Sequence, residues 1–356
     1  MSPCSSTRTA ARKSNRLQSF DFVVFDEIEE QADTHQGSVT ISVLLQKEQT
    51  SLLDAEENSF IETIFSNLVE RLNPYKQARD LIQRAEYAGY ALGLSDLETG
   101  GHSIDTQRRI LWLDHEGVSP EMLLEDSASQ DRLLISMLRG LRDVNHEMRL
   151  GTALRLLRPE DGILLERFRS ADCDAVTTSI LWSMRQNGER ALWRQFLTSE
   201  EGDIAAMWQR CYEATGYANK ALCREEALKL AFLVWFEDPS RTIACDHETL
   251  GQYDLMIHDE DEETALRAFG RKRLCAAYLG GLFPLKDGQR YLDDLAQSLL
   301  SDPSFAGPDD EINQAHLLQL KTELGSYRAS GVTFSNDSRS RKLASILFEE
   351  KEPVLL

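Results

Sequence analysis

Residues 132–149, RLLISMLRGLRDVNHEMR, carry the side chains of this chain that are best spaced for chemistry. Asp143 and His146 stand three apart, which on a helix puts a carboxylate and an imidazole on one face, as in the metal-binding pairs of helical bundles. His146 and Glu147 begin like an H-E-x-x-H zinc motif, but Leu150 stands where the second imidazole is needed. Leu134, Met137, Leu138, Leu141, Val144 and Met148 form one apolar stripe, with Arg139, Asp143 and His146 roughly opposite. That opposite side is either a solvated helix face or the lining of a cleft. In a second helical stretch, RFRSADCDAVTTSILW (167–182), Asp172 falls inside the stripe formed by Leu165, Phe168, Ala175, Val176 and Trp182. A buried carboxylate is costly unless it is paired. Asp172 therefore sits at an exposed edge, bonds to nearby backbone, or pairs with a cation from the first helix, Arg139 or Arg142.

These two helices need a frame. FDFVVFDEIEE (20–30) and SVTISVLLQKE (38–48) have the β-branched and aromatic content of strands. From 54 to about 88 apolar residues recur at helical spacing (Phe60, Ile64, Leu68, Leu72), with Pro74 dividing one helix from the next. Residues 87–116 return to strands, Gly100-Gly101 supplies a turn, and alternation around Ile110 and Trp112 predicts a strand with one face buried. Ser119-Pro120 opens a helix as N-cap and first position, with a break near 127–129 and a stop at Gly151. Arg158-Pro159 opens another, ended by Asn187-Gly188. Helices are then expected over 189–198, 202–215, 218–237, 247–257, 261–282, 287–301 and 311–326. The fold class is α+β, with a small sheet in the first third and a mostly helical remainder.

Composition removes several function classes. A formal charge of −20 over 356 residues argues against nucleic-acid backbones and anionic membranes. No run approaches the length of apolar chain needed to span a bilayer. Six scattered cysteines without a CxxC pair give neither a zinc ribbon nor a disulfide framework, and point to a reducing cytoplasm. The acid run 258–263 has neither the ligand spacing nor the glycine of a calcium loop, and reads as a helix start. His102 and His115 flank the strand before the first site helix.

The order of strands, the segment ILWLDHE, a helix with LRGLRD and a helix with RFRSADCDA resembles a family of uncharacterised, mainly alphaproteobacterial proteins assigned as metallopeptidases. The resemblance covers roughly 20–260. Those proteins carry a stretch like HELRH in the first helix and one like EADA in the second, and Leu141-Arg142 matches the third and fourth letters of HELRH. It implies a zincin-like arrangement of strand, loop and long helix. Arg139 then stands at the first zinc-binding His, Gly140 at the general-base Glu and Asp143 at the second His. Ser170 and Asp172 stand at the Glu and Asp of the second stretch. Implied domains are a basic disordered tail (1–19), the metallopeptidase-like domain (20–260), a helical extension (261–330) and a flexible tail (331–356).

HExxH works because two imidazoles four apart reach one Zn²⁺ while the Glu takes a proton from the bound water. Arginine cannot ligate and glycine cannot act as a base. No catalytic residue and no metal ligand is therefore assigned, and Arg142, His146, Glu147 and Asp172 are cleft candidates. The first reading is a pseudoenzyme without cofactor that binds a peptide or protein by strand addition at an edge near Leu111 and Leu113. The alternatives are an active hydrolase with zinc on a rearranged set (Asp143, His146, Glu147, Asp172) and an interaction protein sharing only the fold.

Overall fold

The structure is a computed structural model that describes residues 55–97, 101–151, 153–214, 220–259, 269–276, 279 and 291–330. All of these belong to one compact unit, 38–356. The expected strands at 20–30 and 38–48, both tails, and most of the expected helix at 261–282 lie outside the described residues.

Two helices, α1 (Ala55–Leu72) and α2 (Lys76–Tyr87), are separated at Pro74. Ile64, Phe65, Leu68 and Leu72 of α1 are buried, as the four-residue recurrence requires. Three strands follow: β1 (Ala91–Ser95), β2 (His102–Asp105) and β3 (Ile110–Asp114). Their order is β1-β3-β2, with β1 parallel and β2 antiparallel to β3.

Strand β3 is thus central, which corrects the expectation of an edge near Leu111 and Leu113. Both sides of its backbone are paired, so no strand can add there. All five of its residues are buried, where alternation predicted one buried face. An unbroken apolar run is what a strand covered on both faces carries. Gly93 faces Trp112 across the β1–β3 register because the indole fills its side-chain position, with Trp112 Cζ3 2.3 Å from where a Cβ would stand.

Helix α3 (Pro120–Glu125) starts with Ser119 Oγ accepting from the Met122 N–H at 3.4 Å. Asp126 then caps α4 (Ser127–Leu150), its carboxylate accepting from Ala128 and Ser129. Gly151, at φ 46°, closes α4. A short α5 (Ala153–Leu156) leads to α6 (Pro159–Gln186), ended by Asn187 and by Gly188 at φ 114°. Next come α7 (Arg190–Leu197), α8 (Gly202–Ala214) and α9 (Lys220–Val234). A 3₁₀ turn, Trp235–Glu237, joins α9 to α10 (Pro239–Asp259). Helix α10 starts eight residues before the expected 247, because Asp238 caps Ser240 ahead of Pro239. Of the described residues in the expected 287–301, 291–295 are turns and Ala296–Ser301 is helical. The last helix among the described residues runs Glu311–Ser330.

The architecture is α+β and mostly helical. Helix α6 is its axis, packed by α4, α7, α8, α9, α10 and the last helix. Surrounded on nearly every side, it buries Phe168, Val176, Ile180 and Trp182 together with Arg167, Asp172, Asp174 and Thr178. Polar groups so enclosed must find partners inside the protein. None of the described helices is long and apolar enough to cross a membrane.

Candidate functional site

Helices α4 and α6 lie side by side, and the polar residues of each meet in the seam. Asp172 has no solvent exposure. One oxygen, Oδ2, accepts from Arg142 Nε at 2.5 Å and from His146 Nε2 at 2.8 Å. The other, Oδ1, accepts from the Tyr291 hydroxyl at 2.6 Å. Burial pushes this carboxyl up, but Arg142 and His146 outweigh it and hold the group below the ordinary carboxylate range. Asp172 is accordingly ionised and three times hydrogen-bonded, so it is paired rather than exposed at an edge. Arg142 is the partner.

Arg139 goes elsewhere. Its Nε donates to Asp174 Oδ1 at 2.6 Å, and its Nη2 lies 2.8 Å from Glu201 Oε1 at the start of α8. Asp143, partly buried, receives Arg169 Nη2 on Oδ1 at 2.6 Å, and His102 Nε2 lies 3.5 Å from Oδ2. Burial raises the Asp143 carboxyl, but Arg169, His102 and His146 bring it well below its ordinary value. Arg169 also lies 3.1 Å from Glu166 and 3.6 Å from Glu147. His146 is buried, and its Nδ1 is 3.6 Å from Cys173 Sγ and 3.7 Å from Asp143 Oδ1. Burial, with Asp143 and Asp172 close by, pushes the Cys173 thiol well above its ordinary value.

The seam therefore brings together Arg142, Asp143, His146 and Asp172, with Glu147 at its margin through Arg169. Arg139 stands one ion pair further along. Leu111 belongs to the packing instead, since it and His102 cover Gly140. A Cβ on Gly140 would lie 2.6 Å from Leu111 Cδ1 and 3.1 Å from His102 Cδ2. His115 lines a small cavity with Glu116 and Arg132. Ser170 turns its hydroxyl to Cys245 Sγ at 3.9 Å.

Sequence reasoning missed Arg169, Cys173, Asp174, Glu201 and Tyr291. For the first three there was a signal. Arg167 to Asp174 packs five ionisable or thiol side chains into eight residues of an otherwise apolar helix, the mark of an internal polar network. Tyr291 lies 119 residues from Asp172 and nothing local marks it.

A model of the Putative metallopeptidase family (DUF6782) matches residues 115–292. The chain belongs to that family. The matched stretch begins after β3 and ends just past Tyr291, later at both ends than the expected 20–260. It contains both seam helices and Tyr291, while the sheet lies ahead of it. No curated protein and no solved structure matches the chain.

Membership implies a metal, which the seam can be tested against. Positions 139, 140 and 143 do not suit zinc held in the HExxH manner. Arg139 is a permanent cation already bound to two carboxylates, and the space beside Gly140 is filled by Leu111 and His102. Gly140→Glu is expected to destabilise the protein by about 1–3 kcal/mol, because overpacking and a carboxylate pressed onto Leu111 outweigh the roughly 1 kcal/mol of helix propensity regained. Urea unfolding measures this. Wild-type stability in that variant would show that the position admits a carboxylate.

Proposed function

We propose that this chain is a member of its metallopeptidase family that has given up zinc-dependent peptide hydrolysis and holds a peptide or protein partner without cutting it. The observation that carries this is Arg139, at the place of the first HELRH histidine, whose guanidinium is tied to Asp174 at 2.6 Å and to Glu201 at 2.8 Å. Arg142 and Asp172 stand at letters that HELRH and EADA share with this chain, and their pair, completed by Tyr291 and His146, holds α4 to α6. No group at 139 or 140 can ligate zinc or accept a proton from metal-bound water. The reading belongs to a reducing, cytoplasmic protein, which the scattered cysteines without a CxxC pair favour.

For the partner, β2 takes the place first given to β3. Among the described residues β2 is paired on one side only, and its His102 lies against Asp143 of α4. A peptide adding to β2 would run alongside the seam, its affinity coming from backbone hydrogen bonds that need no metal. The test is retention of a random peptide mixture on immobilised protein. A subset of extended peptides should be retained and eluted intact, with Ile104→Pro, which removes an N–H that faces away from β3, reducing retention at least tenfold. If no peptide is retained, or retention survives in folded Ile104→Pro, peptide binding at β2 is wrong.

A further inference from the structure

We infer that Asp143, His146 and Cys173 form a transition-metal site, suited to Zn²⁺, that pins α4 to α6 at the C-terminal end of the lost motif and shares with it only position 143. This goes beyond the loss of hydrolysis, because a structural metal here requires no catalytic chemistry. The three donor atoms lie within 4.8 Å of one another. Tetrahedral zinc with N, O and S ligands at about 2.0–2.3 Å sets ligand-to-ligand edges of about 3.4–3.6 Å. His146 Nδ1 is 3.6 Å from Cys173 Sγ and 3.7 Å from Asp143 Oδ1, so two of the three edges are nearly at that length.

His146 Nε2 lies 2.8 Å from Asp172 Oδ2, so the tautomer protonated there turns the Nδ1 lone pair to Cys173 and Asp143. A carboxylate behind a ligating histidine is the outer support that orients imidazoles at zinc sites and raises their basicity. Local charge favours a cation too. Arg142 and Arg169 face Asp143, Glu147, Glu166 and Asp172, two guanidinium groups against four carboxylates. Arg169 has Glu147 and Glu166 as further partners, so Asp143 can be shared with a metal. A set of one thiolate, one imidazole and one carboxylate prefers Zn²⁺ to Mg²⁺ or Ca²⁺, which take oxygen ligands. On binding, the Cys173 S–H bond breaks, a sulfur–metal bond forms and the proton leaves to solvent.

Cobalt(II) serves as the spectroscopic probe for the full chain, first stripped with chelator. One cobalt per chain is expected, with a thiolate-to-cobalt charge-transfer band in the near ultraviolet and displacement by zinc but not magnesium. Cys173→Ser, a nearly isosteric change, should abolish that band. Asp143→Asn, at a partly exposed position, should keep it while weakening affinity about 10–100-fold. Circular dichroism reports whether each variant is folded. No cobalt uptake by wild type overturns the site, as does a band that survives in Cys173→Ser or an unchanged affinity in Asp143→Asn. If Cys173→Ser does not fold, the Asp143→Asn affinity decides. Peptide cleavage that needs the metal would overturn the proposed loss of hydrolysis and leave the site standing. Absent metal uptake with no cleavage would do the reverse.

Discussion

Asp172→Ala is expected to cost about 3–5 kcal/mol of folding stability, the range for removing one partner of a buried ion pair. Three donors lose their acceptor at once: the Arg142 guanidinium, the His146 ring and the Tyr291 hydroxyl. Arg142 is also buried, so its charge loses the carboxylate that Nε is bonded to. A double-mutant cycle separates the pair from the rest. Arg142→Met combined with Asp172→Leu should recover much of the loss, since an apolar pair of similar volume replaces a buried ion pair at little cost. The pH dependence carries the same information. Asp172 binds its proton less readily in the folded than in the unfolded chain, where a carboxyl titrates near about 3.9. Its contribution is therefore complete above that value and is lost as pH falls through the lower folded one. Asp143 is depressed in the same direction. Urea midpoints should fall steeply below about pH 4 in wild type and less steeply in Asp172→Asn. Equal slopes would mean that Asp172 is not held ionised by Arg142.

Arg167→Ala is the second large effect. This side chain of α6 is almost wholly buried and forms a fork on Asp246 of α10, with Nε to Oδ1 and Nη2 to Oδ2 both at 2.6 Å. Nη1 reaches on to the Phe305 carbonyl at 3.1 Å, so one residue ties α6 to α10 and to the chain that leads into the last helix. Truncation leaves Asp246 buried without a counter-charge, and a loss of about 3–5 kcal/mol is expected. Arg167→Lys should recover only part of it, because an ammonium cannot reproduce the planar fork. Urea unfolding followed by tryptophan fluorescence gives both numbers. A loss under about 1 kcal/mol, the range of an exposed pair, would show that Asp246 finds water or another partner.

Much of the helical frame is legible in the chain because its boundaries are made by local chemistry. Ser119-Pro120, Gly151 and Asn187-Gly188 mark ends that depend on a few adjacent residues, and the structure puts ends there. Asp238-Pro239 carried an equally local start signal for α10, overlooked in favour of apolar spacing further on. The strand order is not local. Nothing in alternation says that β2 and β1 flank β3, although the unbroken apolar run of Ile110 to Leu113 is the pattern of a strand covered on both faces.

The seam divides the same way. Asp172 stands out because a carboxylate interrupts an apolar stripe, and that physical anomaly required a cation nearby. Which arginine answers it follows from how α4 rolls against α6. Arg142 turns inward, while Arg139 faces Asp174 and Glu201. Tyr291 stands 119 residues further along the chain, and only the folded chain brings it to Asp172.

The proposed loss of zinc-dependent hydrolysis rests on the guanidinium bound to two carboxylates that stands at 139 and the glycine at 140. Mass spectrometry of a complex peptide mixture incubated with the purified chain tests it most directly, with zinc added in one arm and chelator in another. Identical peptide inventories are expected in both arms and in a no-protein control. New termini that appear with zinc, vanish with chelator and persist in preparations of independent purity would contradict it.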